Sequence, residues 1–477
     1  MARFLQLAGA LGLFFMEAAA VNTVKMEGAN FIDSSTGSRV MIIGVDYQPG
    51  GQAGYNPSNG MDPLSNSTVC LRDAALMQDL GLNTIRTYNV DPDLNHDECA
   101  SIFNEVGIYM IVDVNSPLGG ESIDRSNPKG SYNAAYLNRT FAVVEAFMNY
   151  PNTLAFFAGN EIINDVPTSK DNPPYIRAVQ RDIKAYIAKH STRSIPVGYS
   201  AADVREVLQD TWAYLQCAID GDAQADTSRS DFFGLNSYSW CGSDATLQSS
   251  QYDQLDSMFG STTIPVFFSE YGCNTPSPRV FDEVPALYGP QMTALSGGLV
   301  YEFSQEPSNF GLVQVNDNST AQLLVDYDNF QGQMKKLNVS LLESANPSAT
   351  SAKPPACSKG LVTSGDFGAD WNLPKTPSDA QDLINNGVPN AQQGKIVSIS
   401  DTNVPIAVYA SNGQQIQNLA IKPLQDGQAN SPNTAGTSGA QTNNTDPNAK
   451  PSAAPEGVKL HVALTVAFAS LAAILLL

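Results

Sequence analysis

The chain has 477 residues, with 26 Lys and Arg against 47 Asp and Glu, so its formal net charge is −21. Such a polyanion repels nucleic acid and acidic polysaccharides, which argues against both as partners but leaves neutral sugars open. Hydrophobic residues make up 42% of the chain and charged residues only 15%, so a large core is covered mainly by uncharged polar residues, as in many secreted glycoproteins.

The first twenty residues have the pattern of a secretory signal peptide. Arg3 precedes an apolar run over residues 4–16, and small residues at Ala18 and Ala20 suit cleavage before Val21. We therefore expect residues 1–20 to be removed and the mature chain to fold in an oxidising compartment.

Eight short apolar runs alternate with amphipathic helical stretches in the first two thirds of the chain. The runs are near-continuous rather than alternating, as expected for strands that are covered on both faces. They span residues 40–47, 83–90, 108–115, 153–161, 195–200, 232–240, 264–271 and 297–304. Helices are predicted over 68–80 and 97–106, and each stops at a glycine.

This alternation predicts an α/β fold, a (β/α)₈ TIM barrel, over residues 21–344. An open doubly wound sheet is the alternative. It would usually place a Gly-rich phosphate loop after the first strand, and residues 44–54 lack that spacing.

In such barrels the active site lies at the C-terminal ends of the strands, where this chain places carboxylates, amides and aromatic residues. Two glutamates are best placed. Glu161 closes the fourth run directly after Asn160, and Glu270 closes the seventh. Glycoside cleavage needs one carboxyl to protonate the leaving oxygen and a second to attack the anomeric carbon or activate water. One such glutamate is as readily a surface ion pair or a cap, but two on the fourth and seventh strands favour catalysis.

The motifs around these glutamates resemble a known family. Asn160–Glu161 and residues 269–272 resemble clan A of the glycoside hydrolases. More narrowly, residues 44–50, 83–88, 196–200 and 298–302 resemble glycoside hydrolase family 72, the fungal GPI-anchored β-1,3-glucanosyltransferases. The resemblance runs through the whole barrel and continues weakly to about residue 425.

The resemblance implies a retaining double displacement in which Glu161 is the acid/base and Glu270 the nucleophile. The enzyme would cleave an internal β-1,3-glucan linkage and transfer the new reducing end to the non-reducing end of another β-1,3-glucan, elongating glucan in cell-wall assembly. A secreted endo-β-1,3-glucanase, which uses the same pair on water, and a non-catalytic wall mannoprotein are the alternatives.

The same resemblance implies which residues bind glucan. On the donor side these are Tyr88, Asn115, Ser116, Gly119, Gly120, Glu121, Ser122, Ile123, Asn160 and Tyr301. Asp203 and Arg205 match acceptor-side positions, and Tyr238 is expected to hydrogen-bond Glu270. The expected partners are donor and acceptor β-1,3-glucan chains, bound by a monomer.

Six cysteines allow fifteen ways of forming three disulfides. In a barrel the first two lie near the starts of neighbouring helices and the fourth and fifth follow neighbouring strands, which leaves the third and sixth. The expected pairs, with which the family resemblance agrees, are Cys70–Cys99, Cys241–Cys273 and Cys217–Cys357. No two cysteines have metal-ligand spacing and only three His are present, so we expect neither a metal nor a cofactor.

After the barrel the composition shifts. Residues 345–356 are rich in Ser, Ala and Pro and are interpreted as a linker. Residues 357–425 contain two runs typical of strands, 395–399 and 405–409, and predict a small β-rich extension tied to the barrel.

The C-terminal end is interpreted as a tether. Residues 426–456, dense in Asn, Ser, Thr, Pro, Gly and Ala, predict a solvated stalk. Residues 457–477 end the chain in an apolar tail that favours a GPI-anchor signal over an ordinary tail-anchored helix. We therefore expect a GPI-anchored protein on the outer face of the cell membrane and in the cell wall. Sequons that fit this route stand at Asn66, Asn138, Asn318, Asn338 and Asn443.

Overall fold

The computed structural model describes residues 21–51, 55–223, 225–344, 349 and 351–432. The predicted signal peptide, the GPI tail, most of the predicted stalk and the sequon at Asn443 lie outside these residues. The other four sequon asparagines are exposed. No helix in the described ranges is both long enough and apolar enough to cross a bilayer.

The described chain begins with a small antiparallel sheet that the sequence analysis missed. Its strands are β1 (Val24–Glu27), β2 (Asn30–Asp33) and β3 (Arg39–Val40). Phe31 of β2 is buried, and its ring centroid lies 5.9 Å from that of Phe232 and 6.0 Å from that of Phe267. Because these two rings lie at the starts of barrel strands, the sheet covers the N-terminal end of the barrel.

Eight parallel strands then close into a barrel, which confirms the predicted (β/α)₈ fold. Each strand falls on one of the eight predicted runs. They are β4 (Ile42–Asp46), β5 (Thr84–Thr87), β6 (Tyr109–Asp113), β7 (Thr153–Asn160), β8 (Val197–Ala202), β9 (Phe233–Ser237), β10 (Val266–Tyr271) and β11 (Gly297–Val300). β11 pairs with β4 and closes the sheet.

Helices surround the barrel. Through the barrel they are α1 (Ser67–Leu80), α2 (Asp97–Glu105), α3 (Pro128–Ser131), α4 (Ala134–Phe147), α5 (Pro173–His190), α6 (Arg205–Gln216), α7 (Tyr252–Phe259), α8 (Val284–Leu287), α9 (Val325–Met334) and α10 (Val339–Leu342). Helix α1 begins one residue before its predicted start and ends at its predicted end, and its two caps show why. Asn66 accepts the backbone N–H groups of Thr68 and Val69 at its start, and Gly81 ends it with a φ of 76°.

The extension contains less β structure than the sequence predicted. A three-stranded sheet joins β12 (Val313–Val315) and β13 (Ala321–Leu323) to a two-residue strand, β14 (Val408–Tyr409). Residues 395–399 form no strand, and an unpredicted helix, α11, spans Ser378–Asn386. The physical reason is that the backbone N–H groups of residues 395 and 397 donate to the side chains of Asp97 and Ser101 on α2.

The extension wraps around the outside of the barrel rather than forming a separate core. Thr363 bonds Asp210 of α6, Thr376 bonds Asp182 of α5, and Lys422 bonds Gln78 of α1. Asn430 is buried, and its side chain donates to the carbonyl oxygens of Gln78 and Leu82. Within the predicted stalk, which starts at residue 426, Gly427 and Asn430 therefore still hydrogen-bond to the rest of the chain.

All three expected disulfides are present. They are Cys70–Cys99, Cys217–Cys357 and Cys241–Cys273. The Cys217–Cys357 bond joins the end of α6 to the start of the extension across 140 residues of sequence. The Cys70–Cys99 bond links α1 and α2 and spans only 29 residues.

Replacing both Cys217 and Cys357 by Ser is expected to lower the free energy of unfolding by about 2–5 kcal/mol, because the bond restricts a long loop in the unfolded chain. Urea denaturation measures this loss. The double replacement of Cys70 and Cys99 is the control and should cost about 1 kcal/mol less, since its loop is shorter. Unchanged stability of the first variant would contradict the role of the bond.

Candidate active site

Polar side chains form a layer at the C-terminal end of the barrel, above a floor of aromatic rings. The floor includes Phe157, Phe232 and Phe267, whose ring centroids lie 5.1–6.1 Å apart. The buried guanidinium of Arg86 lies 4.4 Å from the ring centroid of Phe157. The floor thus separates the polar layer from the N-terminal end and excludes water beneath it.

Glu270, near the end of β10, is the most heavily hydrogen-bonded carboxylate of this layer. Its Oε1 accepts from the Tyr88 hydroxyl at 2.9 Å and from Nη1 of Arg86 at 3.3 Å. Its Oε2 accepts from the Tyr238 hydroxyl at 2.6 Å. Three donors aimed at one carboxylate favour its ionised form. This arrangement suits a carboxylate that attacks as a nucleophile.

Burial opposes that ionisation. It raises the pKa of Glu270 to about 7, and the charge of Glu161 adds to the rise, whereas Arg86, Tyr238 and Tyr88 pull the pKa down. The same interaction shows that the two glutamates lie within electrostatic range of each other.

Glu161 directly follows β7 and has a different environment. Its backbone φ is 49°, in the left-handed region, and its N–H donates to the carbonyl oxygen of Ser200. Residues other than glycine seldom adopt this backbone conformation, and those that do cluster at functional sites. Its Oε1 accepts the amide N–H of Asn236 at 2.9 Å, and the residue is half-buried. A carboxyl that keeps contact with solvent can exchange protons, as a general acid and base must.

Asn236 fixes the position of Glu161. Its side-chain oxygen accepts hydrogen bonds from Ser200 and Ser269, so its amide group is turned toward the glutamate. The same amide also donates to Asn160 at 3.2 Å. Because every group of Asn236 has a partner, its orientation is determined by the barrel rather than by a ligand.

Arg86, at the end of β5, connects the two glutamates. Besides its bond to Glu270, it donates to Oδ1 of Asn160 at 2.9 Å, next to Glu161 in the chain. It also donates to both carboxylate oxygens of Asp113, at 3.0 and 2.9 Å. One planar side chain therefore sets the strand ends that carry both glutamates.

Aromatic rings form a wall beside Glu270. The ring centroid of Tyr301 lies 6.5 Å from that of Tyr88 and 6.2 Å from that of Tyr238. Phe310 completes the group, at 5.5 Å from Tyr238 and 5.4 Å from Tyr301. Rings of this kind can stack on the apolar faces of glucose units.

Asp203 and Arg205 contact each other and the end of β9. The carboxylate of Asp203 accepts from the hydroxyl of Ser237, the last residue of β9, at 2.8 Å. Arg205 donates to Asp203 at 2.9 Å. The structure therefore places both predicted acceptor residues at the C-terminal end of the strand that precedes Tyr238.

Residues 115–123 form a loop whose base is fixed and whose tip is exposed. Asn115 donates to the carbonyl oxygen of Ala158 in β7 and accepts from Tyr136. The hydrogen bonds of Ser116 and Glu121 run to each other and to Arg139 rather than to either glutamate. Ile123 is buried, Ser122 is half-buried, and Gly119 and Gly120 are exposed. Of the predicted donor residues, those in this loop do not join the network around Glu270.

The predicted site residues omitted three side chains that the structure brings to the two glutamates or their aromatic wall: Arg86, Asn236 and Phe310. Arg86 and Asn236 each stand one residue before the end of a barrel strand, β5 and β9, and could have been found as polar residues at strand ends. Phe310 lies in the loop after β11, where no sequence pattern distinguishes it.

A closed (β/α)₈ barrel with two carboxylates and aromatic walls at its C-terminal end is the architecture of an enzyme that cleaves glycosidic bonds. The family model of the glycoside hydrolase family 72 glucanosyltransferases matches residues 14–338. The chain therefore belongs to this family.

Its relatives agree with that assignment. The 1,3-beta-glucanosyltransferase gel2 of Aspergillus fumigatus is 53% identical over 416 residues, 87% of this chain and 86% of the relative. The probable 1,3-beta-glucanosyltransferase GAS3 of Saccharomyces cerevisiae is 47% identical over 383 residues, 78% of this chain and 72% of the relative. The structure of a Saccharomyces cerevisiae Gas2p mutant in complex with laminaritetraose and laminaripentaose matches 76% of both chains, with 33% identity and a TM-score of 0.64.

Replacing Tyr238 by Phe is expected to move the acid limb of the kcat/KM profile to higher pH by about one unit. In the wild type the hydrogen bond from Tyr238 lowers the pKa of Glu270. Without this bond the pKa is higher, and a smaller fraction of Glu270 is ionised at low pH. The same change at Tyr109, whose hydroxyl bonds Asn22 at the other end of the barrel, is the control and should not move the limb. A shift to lower pH would contradict the assignment of Glu270.

Proposed function

We propose that this chain is a 1,3-β-glucanosyltransferase that elongates β-1,3-glucan in the fungal cell wall. The observation that carries the proposal is the unequal environment of the two glutamates. Glu270 is buried and receives three donors, whereas Glu161 is half-buried and receives one amide. Membership of the family, and relatives that carry this activity in their names, support it.

In the first step Glu270 attacks the anomeric carbon of an internal β-1,3 linkage. Glu161 gives its proton to the departing oxygen, so the leaving glucan fragment ends in a neutral hydroxyl. The remaining fragment becomes an ester of Glu270, and its new reducing end is held on the enzyme. Arg86 and Tyr238 stabilise the charge of Glu270 before attack and as it returns.

In the second step Glu161, now ionised, takes the proton of an incoming hydroxyl. The hydroxyl oxygen attacks the anomeric carbon, and the bond from that carbon to Glu270 breaks, which releases the Glu270 carboxylate. If the hydroxyl is the 3-hydroxyl at the non-reducing end of another glucan, a β-1,3 bond forms and the polymer grows. Water is far more concentrated than any sugar, so transfer needs an acceptor held in attacking geometry. The wall of Tyr238, Tyr301 and Phe310, together with Asp203, is our candidate for that binding surface.

We propose that the substrate partners are a donor and an acceptor β-1,3-glucan and that the enzyme acts as a monomer. Gas2p with bound laminari-oligosaccharides supports the choice of glucan. Three disulfides and four exposed sequons support a secreted route. The sequence pattern of the C-terminal tail leads us to propose a GPI anchor on the outer face of the cell membrane.

Incubation with a reduced laminari-oligosaccharide of defined length tests this function. Products longer than the substrate are expected, because transfer joins fragments, and mass spectrometry of the products measures their length. Products that are only shorter would mean a hydrolase. Glu161→Gln and Glu270→Gln variants are the controls, and each should lose at least about 10³-fold in rate, since each removes one of the two chemical roles. Wild-type activity in either variant would overturn the assigned pair.

A further inference from the structure

Asp46, the last residue of β4, is a fully buried carboxyl. It is 0% exposed and lies opposite Arg86 in the pairing of β4 with β5. Neither of its carboxyl oxygens has a hydrogen-bond partner of ordinary geometry among the residues that the structure describes, although the Tyr88 hydroxyl interacts with the carboxyl. Ionising a carboxyl group in this buried position would cost free energy, because the charge would lose its hydration.

Arg86 lies next to Asp46 but donates no hydrogen bond to its carboxyl group. A guanidinium has five N–H groups. Those of Arg86 are directed to five acceptor oxygens, two on Asp113 and one each on Ser269, Glu270 and Asn160. Its charge is therefore shared between Asp113 and Glu270, and no N–H group remains for Asp46.

Tyr88 connects Asp46 to the nucleophile. Its hydroxyl donates to Oε1 of Glu270 and also interacts with the Asp46 carboxyl. A phenol has one proton, so an ionised Asp46 would compete with Glu270 for it. A protonated Asp46 can instead donate its own O–H to the Tyr88 oxygen, which leaves the Tyr88 proton for Glu270.

Burial favours the protonated form, whereas the surrounding groups act in both directions. The titratable and charged groups that interact with Asp46 come from five other barrel strands and the loops that follow them. They are Arg86, Tyr88, Asp113, Tyr238, Glu270 and Tyr301. Burial raises the pKa of Asp46 well above its usual range; Arg86 and the interaction with the Tyr88 hydroxyl oppose this rise, and Glu270 and Asp113 add to it.

We propose that Asp46 is a positioning residue, held as a neutral carboxylic acid whose O–H donates to Tyr88 and so directs the Tyr88 proton to Glu270. Its effect on transfer rests on the proposed function, but its protonation state does not. The two parts are therefore tested separately.

The stability of Asp46→Asn as a function of pH tests the neutral state without any glucan. Above a pKa of about 3.9 the unfolded Asp46 loses its proton while the folded one keeps it, so this residue makes the protein less stable as pH rises. Asn does not titrate. The Tm of the variant minus that of the wild type should therefore increase by about 2 °C or more between pH 4.5 and pH 7.

Asp113→Asn is the matched control, because Asp113 accepts two N–H groups of Arg86. It should lower the Tm at both pH values. A Tm difference for Asp46→Asn that becomes more negative as pH rises would show an ionised, stabilised Asp46 and overturn the proposal.

The activity of two variants tests the hydrogen bond to Tyr88. Asp46→Ala removes the donor, and kcat for transfer should fall about tenfold while the acid limb of kcat/KM moves to higher pH. Asp46→Asn supplies an amide donor and should restore kcat to within about threefold of the wild type. Equal loss in both variants, with both folded by circular dichroism, would contradict the proposal. If the wild type performs no transfer, the proposed function fails, and the stability measurement still decides the state of Asp46.

Discussion

The active site depends on the hydrogen bonds and ion pairs of one buried group, the guanidinium of Arg86. It lies between the rings of Phe157 and Tyr88, at 4.4 and 4.3 Å from their centroids. A buried cation requires a counter-charge, and the bidentate contact with Asp113 supplies it. Other N–H groups of Arg86 donate to Glu270 and to the side chain of Asn160, which precedes Glu161 in the chain. The cation that stabilises ionised Glu270 therefore also fixes the distance between β10, which contains Glu270, and β7, which ends just before Glu161.

The rest of the fold keeps this arrangement rigid from below and from outside. The N-terminal sheet places Phe31 against the aromatic floor and closes the barrel at the end opposite the active site. The extension follows the outer helices from Cys357 to Asn430 and adds hydrogen bonds to several of them. At the C-terminal end of the barrel, the Cys241–Cys273 bond links the loop after β9, which contains Tyr238, to the loop after β10, the strand that contains Glu270. Glu270 and Glu161 are thus positioned in or directly after strands of a rigid barrel.

The sequence predicted the barrel because strands buried on both faces have near-continuous apolar runs, and it predicted Glu161 and Glu270 because both close such runs. It missed the sheet around Phe31, whose strands are too short to show a clear period. It also failed for residues 395–399, because their backbone bonds side chains of α2 that come close only after the barrel has folded. No sequence pattern distinguished Asn236 from other amide side chains at strand ends. Its importance depends on Ser200 and Ser269, which turn its amide toward Glu161.

The central claim is that Glu270 forms a covalent bond to glucan. A laminari-oligosaccharide donor with fluorine in place of the 2-hydroxyl of its reducing-end unit, and with a good leaving group on the anomeric carbon, should form the ester and release it slowly. Intact-protein mass spectrometry should then show the addition of one fluorinated oligosaccharide without its leaving group, and peptide mapping should place it on Glu270. A label on Glu161, or an enzyme that transfers glucan without ever carrying the label, would contradict the account.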